Sequence, residues 1–278
     1  AALNHHDVWS LRGVGLHADR LPMILGCDAA GEDDAGRAVV VHSVIADPAA
    51  EGDETLDPRR TLLSELHQGT LAEYVTVPAR NLVPKPEELS FEEAACLPTS
   101  WLTAYRMLFT QAGVRPGDTV LVQGAGGGVA TAAIALGAAG GLRMWATTAD
   151  EDKAQRARAL GADAVFGRGA RLPARVDAVL ETVGRATWAH TLRCLRPGGT
   201  VVVAGATTGP DPDRTELNRI FFQQLRVVGS TMGTRDELRR LIALLDSTGV
   251  RPVIDSVIGL DDVGSGLRRM MDGELFGK

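Results

Sequence analysis

Apolar and polar positions follow two different rhythms along this chain. Up to about residue 86 the apolar residues come in short runs and alternations, broken by glycine, proline and acidic clusters. Arg37-Ala38-Val39-Val40-Val41-His42 and Gly69-Thr70-Leu71-Ala72-Glu73-Tyr74-Val75-Thr76-Val77-Pro78 read as strands. Pro22 to Gly31 reads as a turn into a short strand. Asn81 to Pro86 is a further extended piece, kept out of helix by Pro84 and Pro86. Residues 46–70 are polar and irregular. Their carboxylates, Asp47, Glu51, Asp53, Glu54 and Asp57, lack a regular coordination spacing, so a solvated loop is expected rather than a cation site. At Ser90 the rhythm changes. Ser90 and Glu93 form a capping box, Pro98 interrupts the helix, and Thr99 to Leu108 resumes it with Leu102, Tyr105 and Leu108 near one face.

From Val120 onward apolar strands alternate with helices. Strands are expected at 120–122, 142–147, 164–166, 176–181, 200–205 and 225–230. Helices are expected from Thr131, from Asp152 to Leu160, from Thr187 to Leu195 and from Leu238 to Leu245, with short pieces after that. Continuous apolar strands between helices mean a parallel sheet covered on both faces. The first unit of this series carries the chemistry. Val120-Leu121-Val122 runs into Gln123-Gly124-Ala125-Gly126-Gly127-Gly128-Val129-Ala130 and then into a helix. Strand, glycine turn and helix within a βαβ unit of about 30 residues is the context in which a glycine run binds a dinucleotide. The glycines let backbone approach a pyrophosphate, and the helix N-terminus offers it unpaired N–H groups. Ala130 stands where the last glycine is usual, which helix–strand packing tolerates. A merely flexible turn is the alternative, and the flanking strands argue against it.

Composition narrows the class. The 278 residues suit one large or two moderate domains, and 45% hydrophobic residues with only 4% aromatic imply an aliphatic core. A net charge of −6 argues against a nucleic-acid surface. No apolar run reaches membrane-spanning length, and no signal peptide opens the chain, so a cytoplasmic location is expected. Cys27, Cys96 and Cys194 are far apart, which excludes a disulfide framework and a cysteine zinc knuckle. Ala1-Ala2-Leu3-Asn4 reads as the end of a strand already under way. Asn4-His5-His6-Asp7 invites a metal reading. On an extended segment, however, His5 and His6 point to opposite faces and do not share one ion. Cys27, beside Asp28, reads as a small buried residue rather than a ligand.

The order of motifs resembles the medium-chain dehydrogenase/reductase superfamily, the zinc-type alcohol dehydrogenases and their zinc-free quinone and enone reductase relatives. The resemblance spans essentially the whole chain. It is carried by Ala2-Leu3-Asn4 with Asp7, Pro22 to Gly31, Gly69 to Tyr74, Leu97-Pro98-Thr99 with Leu102-Thr103-Ala104-Tyr105, the glycine turn, Gly161-Ala162-Asp163, Arg196 to Gly199 and Phe276-Gly277-Lys278. It implies an α/β fold: a Rossmann doubly wound parallel sheet over 103–230, plus a GroES-like β-rich catalytic domain over 1–102 that residues 231–278 rejoin. It also implies that the first strands of the catalytic domain are missing from this chain and that a short piece is missing after Lys278.

The same resemblance frames the site. Zinc-type relatives place a cysteine at the position of Asn4, a His-Glu pair at Cys27-Asp28 and a third ligand near Thr99. Only Cys27, with Asp28, could hold a residual zinc, so no zinc is expected. No cysteine stands in residues 43–57, where relatives carry a structural zinc. The implied substrate-facing residues are Asn4, Asp7, Thr99 and Tyr105. The implied cofactor residues are Gly124, Gly126, Gly127, Gly128 and Val129 at the turn, Thr182, Gly205 and Ala206 at the nicotinamide half, and Lys278 near the phosphates. NAD-specific sites put an acidic residue at the end of the second strand, where this chain has Thr148. With Lys153 and Arg156 on the next helix, that favours NADP(H) over NAD(H), although Asp150, Glu151 and Asp152 weigh the other way. The expectation is therefore a zinc-independent, NADP(H)-dependent oxidoreductase acting on an enone, quinone or carbonyl/alcohol substrate. It is expected to be a homodimer or homotetramer, paired through 225–232. A zinc alcohol dehydrogenase and a catalytically inactive nucleotide sensor are the alternatives.

Overall fold

The computed structural model describes residues 1–49 and 51–278. The predicted loop over 46–70 therefore includes one position, residue 50, outside the described residues. The chain divides into two compact units, one of residues 1–102, 232–276 and 278, the other of residues 103–231 and 277.

The first unit opens on helix α1 (His5–Leu11) and continues through strands β1 (Ala29–Glu32), β2 (Ala38–Val41), β3 (Val44–Ile45), β4 (Thr61–Leu62) and β5 (Leu82–Pro84), then α2 (Phe91–Ala95). β1, β2 and β5 form an antiparallel sheet and β3 pairs with β4. Cys27, Val41, Ile45 and Leu63 pack together beneath them, with Val75, Val77 and Leu82 against the cluster. This is the GroES-like part.

Three expectations fail in this unit. His5 and His6 lie on a helix, not an extended segment. Asp7 reaches back to accept from the Asn4 N–H at 2.7 Å, so α1 starts by a carboxylate cap that outweighs the lack of apolar periodicity. Residues 69–78 form no ladder strand: the N–H groups of Gly69, Thr70 and Leu71 bond to the carbonyls of Ile24, Gly26 and Leu25, and the remainder runs without regular pairing. Alternation in sequence needs a partner strand to become a sheet. Pro98 does not break its helix. α2 passes through a π-helical stretch at Leu97–Trp101, with Pro98 in its first turn, where the missing N–H costs nothing. α3 (Leu102–Tyr105) and a second π-helical stretch, Arg106–Gln111, follow.

The second unit holds β6 (Thr119–Val122), α4 (Gly128–Ala139), β7 (Arg143–Thr147), α5 (Glu151–Ala159), β8 (Ala164–Phe166), β9 (Val176–Glu181), α6 (Trp188–Cys194), β10 (Leu195–Val203), α7 (Leu217–Phe222) and β11 (Arg226–Gly229). Its strands form one parallel sheet in the order β11-β10-β9-β6-β7-β8. Leu121, Val179 and Val201 face the packed helix side with Leu192 and Leu195. The chain order reverses at β6, between β9 and β7, and that is where a Rossmann sheet opens its ligand crevice. The strand expected over 200–205 starts earlier. β10 begins at Leu195 and carries Pro197-Gly198-Gly199 as an irregularity in the ladder before pairing resumes at Thr200. The chain then returns to the first unit with α8 (Arg235–Thr248) and α9 (Val263–Met271). Among the described residues no helix is long and apolar enough to cross a membrane.

Candidate active site and dinucleotide cradle

The cradle lies in the second unit, at the switch point. β6 delivers the chain to Gly124, which turns at φ +81°, a conformation that favours glycine. A side-chain carbon added at Gly127 would meet nothing within 4 Å, so the backbone there faces open space. Gly127 is the residue before α4, and it offers the first-turn N–H groups no side-chain acceptor. A 12-residue helix therefore aims uncapped N–H groups at an open approach, which fits a pyrophosphate. Gly128 and Val129 form that first turn. The Gly277 N–H bonds to the Gly126 carbonyl at 2.9 Å.

The residues expected at the nicotinamide half also come together. The Thr207 N–H reaches the Thr182 carbonyl, and Thr208 N–H reaches that of Val183. Gly205 lies so close that an added carbon would stand 3.1 Å from the Thr182 carbonyl oxygen. Thr182, Gly205 and Ala206 thus belong to two loops held side by side. At the end of β7, Thr148 is half-buried, its N–H bonded to Phe166 and its hydroxyl accepting from Asp150 N at 3.1 Å. That hydroxyl keeps its proton to give. Asp150 caps α5 by accepting from Lys153 N, and Arg156 pairs with Asp152 at 3.9 Å.

Sequence reasoning missed what braces these pieces. Glu181, at the end of β9, is wholly buried. Its carboxylate accepts from Val183 N (2.8 Å), Gly184 N (3.0 Å), Thr187 Oγ1 (2.8 Å) and Thr191 Oγ1 (2.6 Å). Gln123 Nε2 donates to Thr191 Oγ1 (3.0 Å) and to His190 Nδ1 (2.9 Å). His190 Nε2 meets the Ala170 carbonyl, which only accepts, so the imidazole proton is on Nε2 and Nδ1 is the acceptor. Gln123 Oε1 accepts from Thr147, and Thr147 Oγ1 accepts from Gly124 N at 3.1 Å. One directed network therefore joins the glycine turn to the 182–184 loop. The one visible sequence signal was an acidic residue ending an otherwise apolar strand.

The second locus lies in the first unit. Asn4 precedes α1 and its side chain turns away from the helix. Nδ2 donates to Asp28 Oδ2 at 2.8 Å and approaches Cys27 Sγ at 3.7 Å; Oδ1 accepts from Lys278 Nζ at 2.6 Å. Cys27 Sγ is 3.3 Å from Thr99 Oγ1. The structure thus gathers Asn4, Cys27, Asp28 and Thr99, with Asp7 bonded to the Asn4 backbone. Tyr105 belongs to the other unit, where its ring packs on Phe109 at 5.1 Å between centroids. Lys278, expected near the phosphates, has its ammonium at this polar cluster. Burial, with the nearby Asp28 and Asp7 carboxylates, pushes the Cys27 thiol well above its usual range, so it stays protonated. Among the described residues no group of three or more His, Cys, Asp or Glu side chains could hold a metal ion.

Burial also raises Asp7 to about 6, against the opposing bond from Asn4 N and the Lys278 charge. The folded state therefore binds this proton more tightly than the unfolded chain does. The associated stability is full below the unfolded value near 3.8 and is lost as pH rises towards about 6. Asp7→Asn keeps an acceptor for Asn4 N and removes the titration. Urea midpoints from pH 4.5 to 7.5 should show the variant gaining on the native protein as pH rises, by about 2 kcal/mol in all. A difference that does not change with pH contradicts this.

Comparison with known proteins identifies the family. Residues 1–87 match the alcohol dehydrogenase GroES-like domain family and residues 128–247 the zinc-binding dehydrogenase family. The chain is 31% identical to a zinc-type alcohol dehydrogenase-like protein of Leptosphaeria maculans, over all of this chain and 87% of the relative. The solved structure of an NAD-dependent alcohol dehydrogenase superposes with a TM-score of 0.92 at 35% identity, covering 100% of this chain and 88% of that one. A 2-octenoyl-CoA carboxylase reductase, solved with NADP and 2-octenoyl-CoA, gives a TM-score of 0.89 at 27% identity over 98% of this chain and 74% of that one. The chain belongs to the medium-chain dehydrogenase/reductase superfamily and is an NAD(P)-dependent oxidoreductase.

Proposed function

We propose that this protein is a zinc-independent, NADP(H)-dependent reductase of an activated double bond, an enone, quinone or enoyl thioester. One observation carries the reading. Where zinc-type relatives place three ligands, this chain has an amide, a protonated thiol and a hydroxyl, beside a carboxylate already paired with an ammonium. A tetrahedral zinc site with an open position asks for about three good donors, and Cys27 and Asp28 are two.

The chemistry left to such residues is hydrogen bonding. A reduced nicotinamide supplies a hydride, and the oxygen conjugated to the accepting carbon then gathers charge. Asn4 donates to the Cys27 sulfur, which orients the thiol. In this reading the protonated thiol is the donor of its 3.3 Å contact with Thr99 Oγ1. Thr99, half-buried, is left with its own proton to present to a substrate oxygen. Conjugation spreads the charge away from the hydride acceptor, so such donors suffice without a Lewis acid. The neighbour solved with NADP and 2-octenoyl-CoA supports both the cofactor and the substrate class.

Thr148 supports NADP(H): a hydroxyl gives a hydrogen bond to a 2′-phosphate that a carboxylate would repel. Fluorescence titration should find NADPH bound at least about tenfold more tightly than NADH. The reverse order would overturn the cofactor assignment. A homodimer paired through the open edge of the Rossmann sheet at β11, where Val227 is exposed, and a cytoplasmic location are part of the same proposal.

A further inference from the structure

We propose that the Lys278 ammonium is the resident cation of the Asn4–Cys27–Asp28–Thr99 locus, a positioning residue standing in for the metal of zinc-type relatives. The inference rests on the zinc-independent reading above and assigns Lys278 a place other than the cofactor phosphates. Three contacts carry it. Nζ donates to the Leu3 carbonyl at 2.6 Å, donates to Asn4 Oδ1 at 2.6 Å, and lies 3.6 Å from Asp28 Oδ2. Both members of the ion pair are removed from water, the lysine side chain 5% exposed and the aspartate 0%.

Burying either charge alone is costly, so each needs the other. Asp28 Oδ2 is already shared between the ammonium and Asn4 Nδ2, which makes a closed triangle of Lys278, Asn4 and Asp28. The ammonium also fixes the Asn4 amide. A group with three donors and no acceptor must face the amide oxygen, which turns Nδ2 towards Asp28 and Cys27. The Asn4 amide therefore takes its direction from Lys278. A divalent cation entering here would meet an ammonium beside its one anionic ligand, Asp28, and repulsion would oppose it. The lysine is held in place by its backbone: Lys278 N bonds to the Val253 carbonyl and Asp255 N to the Lys278 carbonyl.

The test combines a mutant cycle with kinetics on the full chain. Lys278→Met and Asp28→Asn should each lower Tm by roughly 5–10 °C, because each strands a buried charge. The double variant should recover most of that loss. If Lys278→Met fails to fold, folding of the double variant supports the pairing equally. A double variant that loses the sum of the single effects, or that fails to fold along with both single variants, overturns the pairing. This arm needs no substrate, so it stands apart from the fate of the proposed activity. In the kinetic arm, Lys278→Met should reduce kcat with NADPH and an enone by about tenfold or more, with NADPH affinity within about twofold of native, and Lys278→Arg should restore part of it. Weakened NADPH binding with kcat unchanged would place the ammonium on the cofactor and overturn the proposal.

Discussion

Replacing Glu181 by alanine is expected to destabilise the dinucleotide-binding unit by more than about 4 kcal/mol. The carboxylate is wholly buried and satisfies the Val183 and Gly184 N–H groups and the Thr187 and Thr191 hydroxyls. Each donor stranded away from water costs about 1–3 kcal/mol, and relief from burying a charge offsets part of the total. Water entering the space left behind satisfies some of the four. Glu181→Gln should fall between, because its amide nitrogen confronts donors where an acceptor is required. The damage should reach the cofactor too. The Thr191–Gln123–Thr147 series ends on the Gly124 N–H, so loosening Glu181 frees the phosphate turn as well as the 182–184 loop. Urea denaturation followed by NADPH titration measures both. An alanine variant within about 1 kcal/mol of native stability and with unchanged NADPH affinity would show that the network braces nothing.

Gly69→Ala should be comparably severe, for a steric reason. An added carbon at Gly69 would stand 2.4 Å from the Leu25 carbonyl oxygen and 2.5 Å from that of Gly26, distances that only backbone movement relieves. The two segments are tied by Gly69 N to Ile24 O at 2.8 Å and Thr70 N to Gly26 O at 3.1 Å. Gly26, at φ +100°, precedes Cys27 and Asp28 directly, so the movement passes into the polar cluster. A loss of about 3 kcal/mol or more is expected, with kcat reduced more than about tenfold, since a shift near 1 Å misaligns donors that act by geometry. A variant melting within 2 °C of native and turning over normally would refute the close approach.

How far the sequence could be read depended on how local the determining interaction is. The βαβ series from Val120 was legible because apolar runs, glycine turns and helix caps are local and agree with one another. Residues 69–78 were misread because their alternation is genuine but nothing pairs with it beyond Leu71. The α1 helix was hidden because one carboxylate, Asp7, starts it rather than a hydrophobic stripe. Asn4, Cys27, Asp28 and Thr99 came from family order and meet in space. The Lys278–Asn4 contact could not be read from sequence, because the two residues are 274 positions apart. The Glu181 network was equally opaque. A buried carboxylate in a strand reads as an exception until its four donors are seen.

The central claim is hydride transfer from NADPH without a metal, and its most direct measurement is NADPH oxidation by metal-stripped protein. Protein dialysed against a strong chelator, with residual zinc verified by elemental analysis, would be assayed with an enone and an enoyl thioester beside an untreated sample. Equal rates in the two samples and no gain on adding zinc are expected. Activity lost on stripping and restored by zinc would contradict it.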